Sequence, residues 1–132
     1  MATHWAERWI GRQYDENGHD CAALCCDVRR EVFGGRLPPA AETLRADSRL
    51  QRSRQIEQAI AEMLQPTEAP HEGDVVLMKS AGRLEHVGVY CRIGAEDWVL
   101  HALFNAGHVV LHRLRDLAAQ GLKAEGFYAW KP

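Results

Sequence analysis

Residues 17–28 read NGHDCAALCCDV, with three cysteines, a histidine and two aspartates in the length of about three helical turns. Asp20 stands at a good N-cap position, and the run CAALCCDVRREVF that follows sets Cys21, Leu24, Cys25, Val28 and Val32 on one helical face. Gly34 supplies the stop. This is a helix over 21–33 whose first turn holds Cys21 and whose stripe is core. A thiol at the positive end of a helix ionises more readily, which singles out Cys21 as the candidate nucleophile. Cys25, one turn further on, reads as core. Cys26 points to another flank, open to partial exposure, and its role stays unassigned.

Working outward, residues 3–10 (THWAERWI) place Trp5, Trp9 and Ile10 at helical spacing before Gly11, which reads as a short amphipathic helix. The stretch GGRLPPAAETLRADS is a loop, because paired glycines and prolines interrupt regular structure. In RQIEQAIAEMLQ, Ile56, Ile60, Met63 and Leu64 form one stripe of a further packing helix. After Gly73 the texture changes to DVVLMK, LEHVGVYC, DWVLHALF, HVVLHRL and GFYAW, all rich in strand formers, with RDLAAQGL as a short helix or turn. Helices followed by hairpin-connected strands define an α+β chain with an antiparallel sheet.

The 132 residues suit a single domain spanning 1–132, long enough to bury a core without staples. A formal net charge of −2 argues against a nucleic-acid partner. The charged, tryptophan-bearing N-terminus is unlike a secretory signal, and no run approaches the roughly 18 apolar residues of a membrane span. The expectation is a chain made in the cytoplasm, without a membrane partner, whose four cysteines are thiols.

A cysteine nucleophile needs an imidazole, which the fold brings from elsewhere in the chain. In LEHVGVYC, alternation puts Val87, Val89 and Cys91 on the core face and points His86 away from it. In DWVLHALF, His101 is one histidine in an apolar strand and requires a hydrogen-bonding partner. If these strands are neighbours, His101 stands beside His86 and can orient it as the third member of a triad. His4, His71, His108 and His112 carry no specific signal, and the last two read as surface or hairpin-end residues. Tyr14 is either a packed loop aromatic or a phenol reaching an oxyanion beside Cys21. Zinc on His19, Cys21, Cys25 and Cys26 is disfavoured, since the set is an irregular half-site without a second knuckle.

The ordered motifs Tyr14, Gly18-His19-Asp20-Cys21-Ala22-Ala23-Leu24, Gly73-Asp74-Val75-Val76-Leu77, His86-Val87-Gly88-Val89-Tyr90 and Val99-Leu100-His101-Ala102 resemble the NlpC-type peptidases. These are papain-like cysteine peptidases of bacterial cell walls. The resemblance covers nearly the whole chain, and implies a papain-like fold with the catalytic cysteine at a helix N-terminus packed on an antiparallel sheet. It implies Cys21 as nucleophile, His86 as general base, His101 as the orienting third residue, and Tyr14 with the Cys21 backbone N–H at the oxyanion. The implied substrate is a peptidoglycan stem peptide, often cut between D-glutamate and a diamino acid, with no cofactor. The family's usual Asp-Cys-Ser is Asp20-Cys21-Ala22 here. Compact relatives of this kind resemble those encoded with phage tails or other injection machines, so delivery-machine proteins are expected partners. A non-catalytic assembly component and a thiol acyltransferase are the alternatives.

Overall fold

A computed structural model describes residues 4–13, 21–35, 49–80, 83–103 and 108–132. The elements run in the order 3-10 helix η1 (Trp5–Trp9), α1 (Cys21–Glu31), α2 (Arg49–Met63), β1 (Leu64–Thr67), β2 (Val75–Ser80), β3 (Arg83–Ile93), β4 (Glu96–Leu103), β5 (His108–Arg113), 3-10 helix η2 (Leu114–Gln120) and β6 (Leu122–Trp130). The strands form one six-stranded antiparallel sheet in the order β1-β6-β2-β3-β4-β5. The α+β expectation holds.

Alternation along the strands divides the apolar side chains between two cores. On one side Val75, Leu77, Val87, Val89, Cys91 and Leu100 pack with Cys21, Leu24, Cys25 and Val28 of α1 and Ile56 and Met63 of α2. On the other, Val76, Met78, Tyr90 and Val99 pack with Leu117 of η2 and Leu122. The second core corrects one expectation. Alternation points the strand face that carries His86 away from the core, yet His86 is only 7% exposed and Tyr90 on the same face is buried. A nearly continuous apolar composition, as in VVLM and WVL, belongs to a sheet covered on both faces.

Three other local readings change. The N-terminal segment is a five-residue 3-10 helix with Trp9 fully buried, while Ile10 lies 46% exposed beyond its end. The second helix ends at Met63, and Leu64–Thr67 is a strand paired with Trp130–Phe127. Pro66 is tolerated there because β1 is an edge strand, where a missing N–H need not interrupt a ladder. Cys26 is buried, because α2 covers that flank of α1: Ala22, Cys25 and Cys26 line an apolar pocket with Ile56, Ala59, Ile60 and Trp130.

The ends of the chain brace this frame. Trp5 Nε1 donates to Glu72 at 2.8 Å, and Glu72 also accepts the Arg92 backbone N–H at 2.7 Å, tying η1 to β3. Lys131 donates its backbone N–H to Met63 O and its Nζ to Ala61 O, so a cation meets the carbonyl end of α2, where the dipole favours it. Ahead of β2, the Asp74 carboxylate accepts the His71 N–H at 2.8 Å, and the Asp74 carbonyl accepts from Tyr90 N–H at 2.7 Å. That pairing aligns the Gly73-Asp74-Val75 motif with the strand that carries His86.

Candidate active site

Cys21 is the first residue of an 11-residue helix, so its thiol occupies the end where unpaired N–H groups concentrate positive potential. Arg29 and Arg30 lie in the last turn and complement the opposite end. The thiol is buried, 4% exposed, in the core that α1 makes with the sheet; Val87, the chain neighbour of His86, belongs to the same core. Tyr14, His19 and Asp20 lie outside the described residues.

His86 stands next to a strand irregularity. Met78 pairs with His86 but Lys79 pairs with Leu84, leaving Glu85 as an extra backbone residue in β3. At the same level β6 carries its own extra residue, since Leu77 pairs with Gly126 and Met78 with Ala124. Bulges raise local twist and re-aim the side chains beside them.

From there a line of imidazoles crosses the sheet. Val89 pairs with Leu100, and the next step of the same register sets Gly88 opposite His101. His86 and His101 are therefore diagonal neighbours across a glycine, the geometry in which long side chains on adjacent strands meet. His86 Nε2 lies 2.9 Å from His101 Nδ1, with ring centroids 5.1 Å apart and planes at 77°. A Cβ on Gly88 would come within 2.5 Å of Val99 Cγ2 and 3.0 Å of His101 Cβ. Only a glycine leaves room for the two strands to approach with both rings in place.

The diagonal continues into β5. His101 pairs with Val110 and Val99 with His112, so His112 is again offset by two residues from the position opposite His101. His101 Nε2 lies 2.9 Å from His112 Nδ1. His112 is thus half-buried in the sheet and bonded to a triad candidate, where the sequence reading made it a surface or hairpin-end residue. Its signal, a histidine that follows the apolar run Val109–Leu111 in HVVLHR, becomes legible only once the β4–β5 register is known.

Burial fixes the protonation of the central ring. His101 has no exposed surface, and burial, then the neighbouring His86 and His112 rings, push its pKa down to about 2. Its neutral form is therefore favoured, with one N–H and one bare nitrogen for its two partners.

Of the other three buried thiols, Cys91 has a clear packing role. Cys91 has no exposed surface, its Sγ lies 3.6 Å from Val89 O, and burial followed by the Glu72 charge raises its pKa well above the ordinary thiol range. Such a thiol packs as a small apolar group and resists ionisation. Ala22 faces the apolar pocket under α2, surroundings in which a methyl group needs no hydrogen-bond partner.

Among the described residues, no group of three or more His, Cys, Asp or Glu side chains is arranged to hold a metal ion. No helix among them is long and apolar enough to cross a membrane. Among curated proteins none matches the sequence. A family model for NlpC/P60 matches residues 7–123, a span that takes in α1, the whole histidine diagonal and strands β1 to β5. The chain belongs to the NlpC/P60 family.

Proposed function

We propose that this protein is a cysteine peptidase or amidase that hydrolyses peptidoglycan stem peptides, working through Cys21, His86 and His101. The family is one of cysteine peptidases and amidases of the cell wall, which supports the reaction class. The observation that carries the residue assignment is the 2.9 Å contact between His86 Nε2 and His101 Nδ1, because it gives the base a buried orienting partner.

In this mechanism His86 takes the Cys21 proton and the thiolate attacks the scissile carbonyl, forming a tetrahedral oxyanion. The α1 N-terminus, the Cys21 backbone N–H and Tyr14 stabilise that oxyanion, a contribution of about 3–4 kcal/mol for one well-placed donor. Collapse of the intermediate breaks the C–N bond as His86 returns the proton to the leaving amine. A thioester remains on Cys21. Water, deprotonated by His86, then attacks the thioester and regenerates the thiol. The substrate bond is the one between D-glutamate and a diamino acid, and the chain reaches the wall as part of a phage tail or similar delivery machine.

Mass spectrometry of purified muropeptides incubated with the wild-type protein and with Cys21→Ala tests this reading. A new fragment pair in the wild-type digest alone is expected, and its masses name the bond. Cleavage retained by folded Cys21→Ala, or no cleavage by either protein, would overturn it.

A further inference from the structure

We propose that His112 is a positioning residue for this reaction: it closes a three-imidazole chain, His86–His101–His112, that holds His86 in the tautomer able to accept the Cys21 proton. The inference rests on the Cys21–His86 reading above and assigns a role to a residue outside that triad.

The reasoning is a count of protons. Each neutral imidazole has one N–H and one bare nitrogen, and the chain has two internal contacts, both at 2.9 Å. Either the N–H groups all point from His86 towards His112, or all point back. Pointing back leaves the His86 proton on Nδ1, so that nitrogen cannot accept another. Pointing outward leaves His86 Nδ1 bare, as a base requires.

The charged state makes the choice sharper. When His86 has taken the thiol proton, both of its nitrogens carry hydrogen, and its Nε2–H must find an acceptor in His101 Nδ1. His101 is then obliged to carry its own proton on Nε2. That ring is fully buried, so water does not satisfy this N–H; His112 Nδ1 does. A triad that ended at His101 would leave a buried donor unpaired at the step where His86 is charged. In this chain the fourth group removes that penalty, much as outer partners fix the tautomer of a metal-binding histidine.

The test compares wild type, His112→Phe, which keeps a flat ring without an acceptor, and His112→Asn, whose Oδ1 accepts at nearly the position of Nδ1. Steady-state kinetics on a stem peptide and 15N NMR of the imidazoles are read together. For His112→Phe, kcat is expected to fall by about 10- to 100-fold with KM unchanged, and His112→Asn to recover most of the loss. In the wild-type spectrum His101 should show a protonated Nε2 and a bare Nδ1, and His112→Phe should mix the two tautomers. Wild-type kcat in folded His112→Phe, equal losses in both variants, or a His101 protonated on Nδ1 in the wild type would each overturn the proposal. If the wild type cleaves no stem peptide, the peptidase reading falls and the spectra still decide the chain: tautomers disturbed by His112→Phe sustain it, unchanged tautomers overturn it.

Discussion

Gly88 lies directly under His101, where an added Cβ would stand 3.0 Å from the histidine Cβ and 2.5 Å from a methyl of Val99. The glycine is what allows β3 and β4 to close while two imidazoles occupy the diagonal beside it. Gly88→Ala is therefore expected to destabilise the fold by about 1–3 kcal/mol and to lower kcat by separating His86 from His101. Urea denaturation together with single-turnover hydrolysis checks this; unchanged stability and unchanged rate would show that the strands have slack the contacts deny.

The depressed pKa of His101 has a signed consequence for stability. The ring binds a proton readily in the unfolded chain, near its ordinary 6.5, and in the folded chain only near about 2. Between those values the unfolded state holds more protons, so this contribution is present above the unfolded pKa and is lost as pH falls from about 6.5 towards 2. One such group adds a slope of up to about 1.4 kcal/mol per pH unit. Urea midpoints at pH 7, 6, 5 and 4 should fall more steeply for wild type than for His101→Gln, which has no group to titrate in that window. Parallel curves would mean that His101 protonates as easily folded as unfolded.

Thiol chemistry should resolve the cysteines by position. Cys91, sealed in the core and raised by burial and Glu72, is expected to stay unlabelled by iodoacetamide in the native protein at pH 8 and to label fully in denaturant. Cys21, at a helix N-terminus, is expected to label first. Peptide mapping of the alkylated protein reads both, and native labelling of Cys91 ahead of Cys21 would contradict the assignment.

Much of the candidate site was legible before any coordinates. The α1 stripe, with Cys21 in its first turn, follows from local periodicity and Gly34, whose φ of 63° confirms a left-handed helix stop. The pairing of His86 with His101 depends on two strands being neighbours, and the β3–β4 ladder makes them so. The features that the structure changes share one cause. The periodicity of a single element says nothing of Cys26, Leu64 and the His86 face beyond that element, while their burial comes from α2, β6 and η2.

His112 shows the boundary best. Sequence alone determined most of the elements, the core stripe of α1 and the α+β class, and it named His86 and His101 as a candidate pair, because those rest on periodicity and on motifs a few residues long. Tertiary structure alone decided that Gly88 is the clearance beneath His101, that the sheet is buried on both faces, and that His112 ends a hydrogen-bonded diagonal. Those depend on register: a shift of one residue in β5 would turn His112 to the opposite face, and no local property of HVVLHR records which register the sheet adopts.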